Sequence, residues 1–351
     1  MTFLIPNPTT FRSGGNHYNQ QLLRALDKLG LPFTIAHRAA DIAPAGPIWV
    51  DTLLAEEPLP PGRPRWLIVH HLQSLYPPKG YTSKGYFEEH EASLLRQFNG
   101  FLVSSPFTRD YLQRRGLKQD CIVVEPGLDA LPPVKERTYG NIRAVTAANL
   151  VERKGILPLL EALKANGPWP SFQLCIFGEA SLQPAYAERC LATIAELPEG
   201  TVSYKGAVPQ PEMAAVYQSS NLYISAAFME TYGMSLQEAA AFGLPLLVRR
   251  GGNAAHHLEH GKTGNVCDSI TELVSCLQGW QQRPAALAKL GANAYARAQQ
   301  PQRSWKDAAR ISRSSMGLKK PTKVKPVHSE KTIQSTCLLP LRRIFSAFHG
   351  P

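Results

Sequence analysis

The chain has 351 residues, 44% of them hydrophobic and 19% charged, with a formal net charge of +11. That length exceeds the usual size of one folding unit and predicts two domains, each able to bury its own core. No run approaches the roughly 20 apolar residues needed to cross a bilayer, and six scattered cysteines without a C-x-x-C pair exclude a disulfide framework or a zinc ribbon and fit a reducing, cytoplasmic setting. The first residues carry Pro6 and Pro8 and no basic stretch ahead of the apolar start, so no secretory leader is expected. The positive charge is concentrated at the far end, where residues 311–351 hold eight Lys or Arg against one acid, Glu330. Residues 315–351 read as a basic, disordered tail, either merely solvated or in peripheral contact with an anionic membrane.

In chain order, residues 3–6 predict a first strand, followed by a loop with Ser13, Gly14, Gly15 and Asn16. A helix comes next, with Tyr18, Leu22, Leu23, Ala25, Leu26 and Leu29 on one face and Gly30 as its stop. Strand, glycine-rich loop and helix start form an arrangement that suits a phosphate, although a GG pair alone is also a plain tight turn. Short apolar runs at 33–36, 48–50, 66–70, 100–103 and 121–124 predict a parallel sheet with helices on both faces. The run at 66–70 ends on His70 and His71, either structural hydrogen-bonders or cleft-lining groups. Residues 130–140, with two prolines and several charges, read as a linker. A second α/β rhythm follows: strands at 142–147, 172–178 and 201–206 alternate with helices at 155–163, 186–197 and 211–217. The segment between the first of these strands and its helix contains Asn149, Arg153 and Lys154.

The densest stretch is 228–264. After a buried strand at 221–225 it sets Glu230 and Glu238 eight positions apart around Tyr232, Gly233 and Met234, with a helix and strand directly behind. Ser235 and Glu238 also fit a capping box, in which the glutamate would only satisfy its own helix start. Three histidines, His256, His257 and His260, lack the H-E-x-x-H order and an evident acid ligand, so a metal is not expected there. No D-x-D occurs anywhere.

Taken together, E-x7-E, an Ala-rich helix, G-L-P, Gly251-Gly252 and Gly261-Lys262-Thr263-Gly264 resemble the donor-site pattern of retaining glycosyltransferases of family 4. Gly14-Gly15, Ser104-Ser105-Pro106, Glu125 to Asp129, Lys154-Gly155 and Ser304-Trp305 fall where that family has its landmarks, and Asn149 stands where it has an arginine. The resemblance implies an α/β protein of the GT-B type, two Rossmann-like domains facing a cleft. It implies an acceptor-side domain over 1–135, a nucleotide-sugar domain over 141–302 and a return helix over 303–314.

It further implies transfer of a sugar from a nucleoside-diphosphate sugar to a small-molecule or lipid-linked acceptor, with retention and without a metal or other cofactor. Glu230 and His70 would serve catalysis. Gly14, Gly15, Asn149, Arg153, Lys154, Tyr232, Gly233, Met234 and Glu238 would hold the donor. The second reading is a GT-B-fold sugar-nucleotide-binding or scaffold protein of weak turnover. Nucleic acid is not expected as a partner, because the folded part shows no basic and aromatic interleaving.

Overall fold

The computed structural model describes residues 1–8, 13–129 and 132–315, so the expectations for the basic tail concern residues outside those described, Ser315 apart. The first lobe carries strands β1 (Thr2–Leu4), β2 (Thr34–Ala36), β3 (Ile48–Asp51), β4 (Arg65–Val69), β5 (Gly100–Val103) and β6 (Asp120–Val123). Its helices are α1 (Gly14–Lys28), α2 (Ser83–Tyr86), α3 (Ala92–Leu95) and α4 (Pro106–Arg114), with a π-helical turn at Phe87–Glu91 between α2 and α3. The second lobe carries β7 (Ile142–Ala147), β8 (Phe172–Phe177), β9 (Val202–Tyr204), β10 (Leu222–Ser225), β11 (Leu246–Arg249) and β12 (Gly264–Cys267). Its helices are α5 (Ile156–Ala165), α6 (Pro184–Ala195), α7 (Gln210–Ser219), α8 (Met234–Ala241), α9 (Ile270–Gln282) and α10 (Pro284–Ala298), and α11 (Trp305–Ser315) follows.

The strands are near-continuous apolar runs because both faces of each sheet are covered. On the second sheet, Ile142, Ala144, Leu174 and Ile176 pack under α5 and α9, while Val145, Cys175, Tyr223 and Leu246 pack under α7 and α8. The first sheet is sandwiched in the same way, and one of its two cores is completed by Trp305, Ala308 and Ala309 of α11.

Strand order decides where a ligand can sit. The first sheet runs β2-β1-β3-β4-β5-β6 and the second β12-β11-β10-β7-β8-β9, with every pairing parallel. Each order reverses once, between β1 and β3 in the first sheet and between β7 and β10 in the second. Loops leaving the carboxyl ends of strands on either side of such a reversal diverge and open a crevice. Residues 13–15 and 51–53 stand at the first crevice; residues 149–154 and 228–230 stand at the second.

Candidate functional site

The two crevices face each other and merge into one cavity of about 1340 Å³, lined by both lobes. Every residue assigned to catalysis or to the donor lies on its wall: Gly14, Gly15 and His70 on one side, and Asn149, Arg153, Lys154, Glu230, Tyr232, Gly233, Met234 and Glu238 on the other.

Glu230 is held from both its backbone and its side chain. Its carbonyl accepts the Asn253 N–H at 2.7 Å, and it bridges to Gly252. A Cβ on Gly252 would stand 2.2 Å from that carbonyl oxygen, and one on Gly251 would stand 2.4 Å from the Phe228 carbonyl. The glycine pair is therefore what lets the 251–253 loop lie directly on the acid-bearing loop. The side chain is 9% exposed, against the loop acid that its position alone would indicate, and its Oε1 accepts from Lys154 Nζ at 2.5 Å. Burial pushes the Glu230 carboxyl up, but Lys154 and Arg153 together hold it below the ordinary carboxylate range. Burial in turn lowers Lys154 against the pull of Glu230.

Lys154 and Arg153 sit on a 3-10 turn, Glu152–Lys154, immediately before α5. Both side chains reach the cavity wall, because the tight turn brings successive residues to the same opening. Asn149 has a structural duty there: its Oδ1 accepts the Glu179 N–H at 2.9 Å, tying the loop after β7 to the loop after β8.

Glu238 corrects the capping-box reading. Helix α8 has Gly233 as its N-cap, with no side-chain bond to its first turn. Ser235 Oγ instead pairs with Tyr223 OH at 2.7 Å, and Glu238 accepts from Tyr217 OH at 2.9 Å and Gln210 Nε2 at 2.7 Å. No side-chain cap therefore occupies the start of α8, where Gly233, Met234 and Ser235 line the cavity at the positive end of the helix dipole. Burial raises Glu238 to about 7, the bonds from Tyr217 and Gln210 opposing it. Sequence reading missed Tyr217 and Gln210, because they come from α7, a helix with no motif of its own.

Tyr232 and the adjoining peptide are fixed from behind. The Tyr232 carbonyl accepts from His257 Nε2 at 2.6 Å and from Asn253 Nδ2 at 3.1 Å. Burial lowers His257 to about 4, so it is a neutral Nε2–H donor at ordinary pH. The other two histidines of that stretch turn elsewhere: His260 Nδ1 accepts the Val266 N–H, and His256 approaches Glu125 at 3.8 Å. Among the described residues no three metal-ligating side chains converge.

On the opposite wall, α1 is capped by Ser13, whose Oγ accepts the Asn16 N–H at 3.1 Å, and its glycines face Met234 and His70. His70 follows β4 directly, and burial lowers its imidazole. The neighbouring His71, unassigned in the sequence, also lines the cavity. It is lowered to about 4 by burial and by the cations Arg153 and Lys154 of the other lobe. Ser105 Oγ donates to the Thr231 carbonyl at 2.5 Å, and the Tyr76 ring stacks on Phe228 with centroids 5.7 Å apart. The first lobe thus grips the Glu230 loop at both ends.

The family model described as glycosyl transferases group 1 matches residues 133–297. Over 181 residues, half of the chain, the sequence is 27% identical to the D-inositol 3-phosphate glycosyltransferase of Pseudarthrobacter chlorophenolicus, covering 42% of that protein; the chain thus spans less than half the length of this curated relative. Among solved structures, the sucrose-phosphate synthase of Thermosynechococcus elongatus superposes with a TM-score of 0.69 at 17% identity, covering 90% of this chain and 98% of that one. Anabaena HepE in complex with UDP and glucose superposes with a TM-score of 0.65 at 15% identity, with 90% and 98% covered. The chain therefore has the GT-B fold of glycosyltransferases, and its residues 133–297 carry the pattern of glycosyl transferases group 1.

Proposed function

We propose that the protein is a retaining glycosyltransferase that moves a sugar from a nucleoside-diphosphate sugar to an acceptor hydroxyl or similar nucleophile, without a metal. The observation that carries this reading is the pairing of Glu230 with Lys154 at the crevice beside the start of α8, opposite His70. A departing diphosphate develops negative charge, and Lys154, Arg153 and the amides of Gly233 and Met234 form a fixed cationic and N–H-donating wall for it. The amides of Gly14 and Gly15 at the start of α1 supply a second such edge from the other lobe.

The diphosphate takes over Lys154, and the released Glu230 carboxylate then accepts from sugar hydroxyls and stabilises oxocarbenium-like charge. Glu238 accepts from the ribose hydroxyls, and Asn149 shapes that end of the wall. A leaving phosphate oxygen takes the acceptor's proton, so no separate base is required. The acceptor enters on the first-lobe side, past residues 76–86, and is a small molecule or a lipid-linked one. The basic tail supplies peripheral contact with anionic lipid.

The test uses the full chain. UDP, GDP and ADP are screened by thermal shift, and release of nucleoside diphosphate from the matching sugar nucleotides is followed with and without cell extract as acceptor source. Glu230→Gln, which keeps the shape and removes the charge, lowers turnover at least about 100-fold, the scale of one electrostatic group lost from a transition state. Nucleoside diphosphate binding is retained or strengthened, since the phosphate wall is intact and Lys154 no longer has to be taken from a carboxylate. Unchanged turnover removes Glu230 from the mechanism, and no stabilisation by any of the three nucleotides overturns the reading.

A further inference from the structure

His70 does not stand alone beneath the cavity. Asp51, at the end of β3 and 1% exposed, accepts the Leu53 N–H on Oδ1 at 2.9 Å and Asn19 Nδ2 on Oδ2 at 2.7 Å. Asn19, on α1 and 3% exposed, places its Oδ1 2.8 Å from His70 Nε2, which also lies 3.4 Å from Asp51 Oδ2. The direction of these bonds follows from chemistry. A carboxylate only accepts, so the amide must turn its NH2 to Asp51, leaving its carbonyl oxygen toward the imidazole. A carbonyl only accepts as well, so Nε2 must carry the hydrogen.

We infer that Asp51, acting through Asn19, is a positioning residue that locks His70 as the Nε2–H tautomer, so that Nδ1 is an obligate hydrogen-bond acceptor for a ligand hydroxyl. A Cβ on Gly15 would meet Cγ and Cδ2 of His70 at 3.0 Å, and Tyr18 packs edge-on with ring centroids 5.2 Å apart. With Nε2 turned inward and the Cγ–Cδ2 bond against Gly15, the Nδ1–Cε1 edge is what the ring offers to the cavity it lines. Burial keeps the ring neutral, so it presents a lone pair rather than a charge.

His70 thus places a neutral acceptor on the first-lobe wall beside the Gly14 and Gly15 amides; it repels a phosphate oxygen and takes a hydroxyl of the sugar or acceptor. The lock itself is independent of the proposed reaction, whereas its use on a sugar or acceptor hydroxyl rests on the glycosyltransferase reading.

The test is two-bond proton–nitrogen NMR on the nitrogen-15-labelled full chain at neutral pH, with the His70 signals assigned by their loss in His70→Gln. The expected pattern has a protonated Nε2 and an unprotonated Nδ1. Asp51→Asn lets the Asn19 amide turn round and mixes the two tautomers. It lowers kcat for sugar-nucleotide turnover about tenfold, the equivalent of one misdirected hydrogen bond, with UDP affinity little changed. If Asp51→Asn does not fold, Asp51→Ser, whose hydroxyl both donates and accepts, is read in its place and again lets the Asn19 amide turn and mixes the tautomers.

A His70 protonated on Nδ1, an imidazolium, or a tautomer untouched by either substitution overturns the inference. Sugar-nucleotide binding and turnover absent from a wild-type chain with the expected pattern would instead sink the enzymatic reading and leave the lock in place.

Discussion

Glu238, a half-buried side chain, is expected to couple binding to pH. Its carboxyl is raised to about 7 in the folded chain, burial being the main cause, whereas an unfolded chain leaves it in the ordinary carboxylate range. A group raised in the folded state contributes stability that is complete below its unfolded pKa and is lost as pH rises through the folded one. In its proposed role Glu238 accepts from ribose hydroxyls as the carboxylate, so nucleotide affinity is expected to run the other way and increase as pH rises through about 7. Titration calorimetry with UDP on either side of that pH is expected to show the increase, and Glu238→Gln to flatten it. A pH-independent affinity in the wild type would refute the link. Which residues line the cavity was legible at this scale because E-x7-E and Lys154-Gly155 are local patterns. What each residue touches was not. Asn149 read as a missing cation, but its side chain fixes the Glu179 amide across two loops; Ser235 and Glu238 read as a cap, but both are engaged by tyrosines 12 and 21 residues away in sequence. Spacing reports local geometry, and these partners are set by which strands lie side by side.

Elements carry the site by fixing where loops begin. Most strand positions were legible in the sequence to within a residue or two, because runs such as Ile142–Ala147 are buried on both faces, whereas β12 (Gly264–Cys267) was missed because its first residue reads as part of a turn. The order of the strands was not, since it depends on pairings between segments far apart in the chain. The linker shows the same contrast. Its prolines and charges read as a hinge, yet Arg137 pins it to the second lobe. The guanidinium donates from Nη2 to Phe242 O at 2.7 Å and Tyr217 O at 3.2 Å, and from Nε to Ser220 O at 2.7 Å. These carbonyls lie at the C-terminal ends of α7 and α8, where a cation also meets the negative end of two helix dipoles. Both helices bear on Glu238, one through Tyr217 and one as its own scaffold. Arg137→Ala is expected to cost about 2–3 kcal/mol, the scale of charge-assisted hydrogen bonds left unmade. Arg137→Lys is expected to recover part of this. Urea unfolding of the two variants checks it; a midpoint equal to wild type in Arg137→Ala would show the linker is not held this way.

At the scale of the whole molecule, the cavity exists only if two independently cored lobes keep one orientation, and the chain crosses between them twice. The outward crossing at 124–129 and the return at 303–305 run side by side: the Leu128 N–H donates to Arg303 O at 2.8 Å, and Arg303 Nη1 meets Glu125 Oε2 at 2.6 Å. Gly127 makes that contact possible, because a Cβ there would stand 2.1 Å from the Trp305 nitrogen and 2.2 Å from the Ser304 carbonyl carbon. Beyond the crossing, Trp305 is buried edge-on against Tyr18, with ring centroids 5.6 Å apart, and Tyr18 OH donates to the Val124 carbonyl at 2.8 Å. The return helix therefore braces α1, the helix whose glycines face the second lobe. Gly127→Ala is expected to push the two crossings apart, and Trp305→Ala to cost about 3–5 kcal/mol as a large side chain lost from a packed core. Both act on the first lobe and on the junction, while the second lobe keeps its own core and its phosphate wall. Calorimetry should therefore show the first-lobe transition moving to lower temperature and separating from that of the second lobe. On the proposed function, UDP should still stabilise the second lobe in both variants, while sugar transfer, which would need both walls, falls steeply. A single unshifted transition in Trp305→Ala would mean that the return helix does not hold the lobes together.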